Sequence, residues 1–143
     1  MSVNLRFRRQ TQPGAIPGTV AVDPEAAHPA IRVISYGPDE LDEKAVDDLD
    51  HLAELVGQRT VTWVDVQGLG DAQTINRLGE IFKLHPLALE DVVNTHQRAK
   101  VEDYGQYLFI VARMIASSDP IDTEQVSLFL GSNFVLTFQE RPG

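Results

Sequence analysis

The sequence contains no cysteine, which excludes disulfides, thiolate metal sites and cysteine nucleophiles together. No apolar run approaches the roughly 18 to 20 residues that a membrane-spanning helix needs, and no signal-peptide stretch follows the basic N-terminus. We therefore expect the chain as given to be soluble and uncleaved. Basic residues are also scarce: 12 against 21 acidic ones give a net charge of -9. Because this charge repels phosphate backbones, we expect no nucleic-acid partner, despite Arg6, Arg8 and Arg9, and we expect cations to be better partners.

The remaining composition is that of a globular domain. The chain has 143 residues, of which 43% are hydrophobic and 23% charged, enough for one domain with a real core. Residues 1–18 combine Arg, Gln, Gly and Pro in a way that blocks regular structure, so we predict a flexible N-terminal arm there. The folded domain is predicted to occupy residues 19–143.

The first half of this domain predicts strands and one long helix. Residues 19–22 and 31–36 have the β-branched content of strands. Gly37 and Pro38 are predicted to open a helix that ends near Val56, with acidic residues over most of its surface. Its apolar stripe consists of Leu41, Ala45, Leu49, Leu52 and Val56.

Further along, residues 60–66 predict a mostly buried strand with Trp63 in the core. Asp71 is positioned to cap a helix whose apolar side carries Ile75, Leu78, Ile81 and Phe82. Residues 100–103 and 107–115 predict strands, the second central in the sheet because it is almost continuously apolar. Residues 124–130 and 134–139 predict a hairpin. The order of elements indicates an α/β fold, a mixed sheet covered by helices.

The segment from Leu84 to Glu102 carries the candidate site. Pro86 is predicted to start a short helix that ends near Val93, with left-handed Asn94 as its stop and His85 as its cap. On this helix Asp91 points away from Leu89, toward solvent or a partner. Because Mg²⁺ keeps most of its water and is often held by one or two carboxylates, a magnesium site can consist of Asp91 and little else from this chain, and such a site would be weak alone.

Two other interpretations of this segment remain open. Glu90 and Asp91 can be a solvated helix end with no ligand. Alternatively, the carboxylates can act with His85, His96, Glu102 and Asp103 as ligands and general base of a stand-alone metal-dependent hydrolase. The spacing disfavours the hydrolase, because a proline and a helix end separate the two histidines.

A series of ordered motifs gives a family resemblance. The motifs are WVD at 63–65, LHPLALED at 84–91, HQR at 96–98, KVE at 100–102, FIV at 109–111, EQVS at 124–127 and FQE at 138–140, together with Phe82, Asn94 and Tyr107. Over residues 17–143 the chain resembles the amino-terminal cytoplasmic domain of the CorA family of magnesium and cobalt channels. The related zinc-transporting branch is the nearest alternative.

The resemblance implies a mixed parallel and antiparallel sheet flanked by helices on both faces, an α/β/α sandwich. It implies the cytoplasmic funnel of a homopentameric ion channel in the inner membrane, not an enzyme, with Mg²⁺ and possibly Co²⁺ as regulatory ligands. By position in the LED motif, Asp91 matches the main interfacial carboxylate and Glu90 an accessory one. These ions are expected to bind between neighbouring cytoplasmic domains and to hold the channel closed.

The chain also departs from the family pattern. Ala99 stands where similar members often have proline. The sequence stops at Gly143, before the remaining sheet-domain elements, the long stalk helix, the two membrane spans and the Gly-Met-Asn signature of the family. We therefore expect an incomplete domain whose link to the membrane runs through the missing segments. The carboxylate that would face Asp91 is expected on the stalk, and sheet surface normally covered by later helices is expected to be open.

Overall fold

The computed structural model describes residues 11–118 and 120–143. Residues 1–10, with Arg6, Arg8 and Arg9, lie outside the described residues. The described elements are β1 (Ala30–Tyr36), β2 (Leu41–Ala45), α1 (Leu49–Leu55), β3 (Val61–Gln67), α2 (Ala72–Phe82), α3 (Pro86–Val93), β4 (Lys100–Asp103), β5 (Tyr107–Ser118), β6 (Ile121–Gly131) and β7 (Phe134–Gln139).

The strands form one seven-stranded sheet in the order β2-β1-β3-β7-β6-β5-β4. β3 and β7 run parallel at its centre, and the other neighbouring strands are antiparallel. The predicted mixed sheet and the predicted β6–β7 hairpin are therefore confirmed. β5 pairs on both sides, with β6 and β4, but it lies second from the sheet edge and not at the centre, so that part of the prediction was wrong.

One face of the sheet carries the core. A row of five buried side chains crosses β1, β3, β7, β6 and β5, because the register sets Val33 beside Val64, Val64 beside Leu136, Leu136 beside Phe129, and Phe129 beside Phe109. The buried side chains of α1, α2 and α3 belong to the same cluster. Burial of this continuous apolar surface is the main stabilising term of the fold.

The opposite face of the sheet is more open. Its corresponding row is Ile34, Trp63, Val135, Leu130 and Leu108, of which Leu130 is 42% exposed and the others are half-buried. Trp63 was predicted to lie in the core, but it lies on this face. The mixed sheet with packed helices is thus confirmed, and among residues 11–118 and 120–143 the helices cover one face. The second helical layer of an α/β/α sandwich does not occur within these residues.

The predicted long helix after Gly37 was wrong in its first half. Gly37 N–H donates to the carbonyl of Glu40 at 2.9 Å, which closes a tight turn, and β2 then pairs antiparallel with β1. Leu41, which opened the proposed apolar stripe, is 72% exposed. The helix instead begins after Asp48, whose carboxylate accepts the Asp50 N–H at 2.9 Å.

Two smaller predictions also failed. Residues 19–22 form no strand, although Val20 and Val22 pack against the core. Asn94 ends α3 with φ of -94°, not in the left-handed conformation. Left-handed backbone occurs instead at the ends of the other two described helices, at Lys83 with φ of 54° after α2 and at Gly57 with φ of 87° after α1. Asp71 caps α2 as predicted, because its carboxylate accepts the N–H groups of Gln73 and Thr74.

Candidate metal-binding site

The helix α3 is fixed at its start and along its buried side. His85 Nδ1 accepts the Leu87 N–H at 3.2 Å, so His85 is the N-cap as predicted, and its own N–H donates to Tyr107 Oη at 2.8 Å. Burial of Ala88, Leu89, Val92 and Val93 holds the other side on the core. Glu90 and Asp91 therefore lie on the rim of a fixed helix.

Glu90 is in contact with the N-terminal segment. Its Oε2 accepts the N–H of Gly18 at 2.7 Å. Gly18 has φ of 86°, and a Cβ at this position would lie 2.7 Å from Pro86 Cβ, so a side chain there would strain the backbone and crowd α3. The segment of residues 11–17 lies beside α3 and β4, where a cleft of about 780 Å³ is lined by Glu90, Asp91 and Glu102 among others.

Asp91 is paired with a lysine of β4. Lys100 Nζ lies 2.6 Å from Asp91 Oδ2 and 2.7 Å from Glu102 Oε1, and we call these three residues the Lys100 cluster. The side chain of Asp91 is 24% exposed and that of Lys100 is 26% exposed. Phe109 lies beneath the ammonium, 5.5 Å from Nζ to the ring centroid, at a distance where cation–π attraction acts. Asp91 is thus presented at the surface as predicted, but with a cation already beside it.

The hydrogen bonds of the Lys100 cluster stabilise the charged forms of Lys100 and Glu102. Burial pulls the pKa of Lys100 down, but the hydrogen bonds to Asp91 and Glu102 outweigh burial, so the pKa is raised overall. The hydrogen bond from Lys100 lowers the pKa of Glu102. Tyr104 Oη donates to Glu102 Oε2 at 3.2 Å. Burial raises the pKa of Tyr104, and this hydrogen bond raises it further. Lys100 is therefore an ammonium, and Glu102 a carboxylate, at neutral pH.

A buried glutamine ties the end of α3 to the sheet. Gln125, 2% exposed, donates from Nε2 to the carbonyl of Asp91 at 3.1 Å and accepts the Gln97 N–H at 3.0 Å. Sequence reasoning missed Lys100 and Gln125 as parts of the site. Lys100 and Glu102 are two residues apart on β4, so they lie on the same face of that strand. This spacing was the local sequence signal from which Lys100 could have been identified.

Of the other candidate residues, Glu102 is joined to Asp91 through Lys100, whereas His96 and Asp103 lie apart from Asp91. His96 lines a second cleft, of about 850 Å³, together with Asp23 and Glu140. Asp103 Oδ1 accepts the Gly105 N–H at 2.7 Å in the turn after β4. In the part of the chain that the structure describes, no three His, Asp or Glu side chains are grouped to hold a metal ion.

The chemistry of the donors nevertheless fits Mg²⁺ in part. Glu90 and Asp91 offer carboxylate oxygens, the hard ligands that Mg²⁺ prefers, and water commonly supplies the other positions. These residues can therefore hold one side of a hydrated ion, with further ligands from water or another chain.

Within residues 11–118 and 120–143, no helix is both long and apolar enough to cross a membrane.

Comparison with known proteins places this chain in a family. Residues 58–143 match the family described as CorA-like Mg²⁺ transporter protein. The cobalt/magnesium transport protein CorA of Thermotoga maritima is 39% identical over 116 residues, which are 79% of this chain and 33% of that protein. The chain thus spans about a third of the length of this curated relative.

Solved structures agree with the fold. The soluble domain of CorA from Methanocaldococcus jannaschii superposes with a TM-score of 0.57 and 13% identity, covering 80% of this chain and 41% of that one. The complete CorA magnesium transporter of the same organism gives a TM-score of 0.58 and 13% identity, covering 76% and 31%. At such identities these two structures bear on the fold alone.

Proposed function

The chain belongs to the CorA family of magnesium transporter proteins, and from that premise we propose that it is the divalent-cation-sensing domain of a magnesium and cobalt transporter. The observation that carries the proposal is the placement of Asp91 and Glu90. Both carboxylates lie on α3 beside a cleft, and the partner of Asp91 is the ammonium of Lys100, at the end of a long side chain.

We further propose the assembly that the family resemblance implies. The transporter is a homopentamer in the cell membrane, this domain lies on the cytoplasmic side, and ions are conducted by segments beyond residue 143. The domain is not an enzyme. The relative from Thermotoga maritima, named for cobalt and magnesium transport, supports the choice of ions.

Each residue of the proposed site has a separate role. Asp91 binds the ion or its water shell, and Glu90 adds a second carboxylate from the preceding position. His85 and Gln125 orient the two carboxylates by holding the ends of α3. When bound, a divalent ion supplies positive charge that carboxylates of two neighbouring subunits can share. The sensor therefore forms one side of an interface between subunits, and the occupancy of its metal site follows the Mg²⁺ concentration.

The oxygen-only donor set favours magnesium over the zinc branch. Zinc sites usually include histidine or cysteine, and the sequence has no cysteine. His85 is engaged as a helix cap, and His96 lines the other cleft. A metal-dependent hydrolase would need several metal ligands and a general base close together, and no observation at Asp91 favours such an arrangement.

Titration of the chain with Mg²⁺ tests the proposal directly. We expect weak binding by isothermal titration calorimetry, reduced about tenfold or more in Asp91→Ala because a main ligand is lost. Asp39→Ala, which removes an equal charge from the exposed turn between β1 and β2, is the control and should leave binding nearly unchanged. Robust hydrolysis of phosphate or ester substrates that disappears in Asp91→Ala would contradict the transporter interpretation.

The complete transporter offers a second readout for the same substitution. There, Mg²⁺ should protect the protein against limited proteolysis, and Asp91→Ala should shift the protection curve to higher Mg²⁺. A curve identical to that of the unmodified protein would remove Asp91 from the sensor.

A further inference from the structure

The ammonium of Lys100 occupies space that a cation at Asp91 would need. It lies between two carboxylate oxygens, at 2.6 Å from Asp91 and 2.7 Å from Glu102. A divalent ion bound to Asp91 Oδ2 would stand within a few ångströms of this ammonium. Like charges at such a separation repel strongly in a partly desolvated cleft, so both cations cannot contact Asp91 fully at once.

Lys100 has a second anchor that allows it to leave Asp91. Glu102 and the ring of Phe109 contact the ammonium independently of Asp91, and Tyr104 holds Glu102 in place. If the ammonium moves off Asp91, it keeps one carboxylate and the aromatic face. The charge is therefore not left buried without a partner, which would otherwise make the movement costly.

We propose that Lys100 is a built-in competitor for the divalent cation at Asp91, with Glu102 as the residue that receives the displaced ammonium. This inference rests on the proposed function, because it takes Asp91 as a cation ligand. It assigns to Lys100 the role of an affinity-setting residue. In the absence of the divalent ion Lys100 neutralises Asp91, and the ion binds only when its concentration is high enough to displace the ammonium.

Removal of the charge at Lys100 is the central test. Lys100→Met keeps the length and apolar stem of the side chain, and we expect its Mg²⁺ affinity by calorimetry to be about five- to tenfold tighter than that of the unmodified chain. Lys100→Arg keeps the charge and should bind as weakly as the unmodified chain. Lys44→Met removes a lysine charge from β2, near Asp42, and should change the affinity less than twofold.

Glu102 gives a test with the opposite sign. Glu102→Gln leaves the ammonium with Asp91 as its only carboxylate partner in the cluster, so we expect Mg²⁺ to bind about threefold more weakly. In the Lys100→Met background the same substitution should have no effect if Glu102 acts through Lys100. A loss of affinity in both backgrounds would mean that Glu102 is itself a ligand and would overturn its role as receiver.

The outcomes separate this inference from the proposed function. If Asp91→Ala weakens binding but Lys100→Met binds no tighter than the unmodified chain, Lys100 is not a competitor and the cation site stands. If Asp91→Ala changes nothing in either Lys100 background, the proposed site itself is wrong. Thermal melting of each variant without Mg²⁺ checks the fold, and Lys100→Gln replaces Lys100→Met should the latter not fold.

Discussion

Two aspartates of this molecule, Asp65 on β3 and Asp91 on α3, hold their charges in opposite ways. Asp65 is 5% exposed and lies in the middle of the sheet. It accepts hydrogen bonds from Thr137 Oγ1 at 2.8 Å and Gln67 Nε2 at 3.0 Å, while the guanidinium of Arg32 stands at 3.6 Å. The partner of Asp91 is a single ammonium at the end of a four-carbon side chain.

The difference teaches which carboxylate can exchange its partner. Thr137 is a short, buried donor on β7, and its hydroxyl also accepts the indole N–H of Trp63 at 3.0 Å. Because the side chain of Thr137 is short, it cannot move away from Asp65 without disturbing the central strands. Lys100 can leave Asp91 by rotation of its own side chain, so of these two carboxylates Asp91 is suited to bind an ion.

Among the substitutions that test this comparison, Asp65→Ala is expected to have the largest effect on stability. The substitution leaves the buried Thr137 hydroxyl without its carboxylate acceptor and a small cavity beside it, so we expect a loss of about 2 to 3 kcal/mol in the free energy of unfolding. Urea denaturation measures it. Asp65→Asn, which keeps the shape and one acceptor, should lose about half as much, and equal stability of the alanine variant would refute the fixed role of Asp65.

A smaller effect is expected at Gly79, which sets the position of the helix that carries Asp91. A Cβ at Gly79 would lie 2.3 Å from Leu89 Cδ1, so Gly79→Ala must push α2 and α3 apart or force Leu89 to shift. We expect a loss of about 1 to 2 kcal/mol, because overpacking outweighs the better helix propensity of alanine. Thermal denaturation measures the loss. Mg²⁺ binding should weaken as well. Weaker binding with unchanged stability would mean that the substitution does not act through the packing of α2 against α3.

The smallest effect on stability is expected from Asp91→Ala. The lost ion pair is partly exposed, and Lys100 keeps Glu102, while alanine favours the helix and removes a negative charge near its C-terminal end. These terms nearly cancel, so we expect a change within about 0.5 kcal/mol by urea denaturation. A loss comparable to that of Asp65→Ala would show that the two aspartates are equally structural.

The parts of the fold that were predicted correctly are those specified by local chemistry. Asp71, Pro86 and His85 mark helix starts by hydrogen bonds or backbone limits within three residues, and α2 and α3 begin as expected. The tight turn of the β6–β7 hairpin is equally local. The mixed sheet was predicted from the order of the elements along the chain, and the family resemblance implied the same architecture.

The errors occurred where distant residues decide the structure. The spacing of Leu41, Ala45 and Leu49 is helical, but pairing with β1 converts residues 41–45 into a strand. Asp91 was recognised by its place in the LED motif, whereas its partner lies across a loop on β4 and depends on how that strand joins the sheet. The position of the carboxylate could be read from the sequence, and the competing charge beside it could not.

The parallel pairing of β3 with β7 also constrains how the molecule folds. Thr62 lies beside Phe134 and Gln67 beside Gln139, so the centre of the sheet joins segments that are far apart in the chain. Contacts of this kind are slow to form, since a long loop must close before they stabilise anything. During synthesis β3 must wait for β7 to leave the ribosome, with one edge unpaired and open to aggregation.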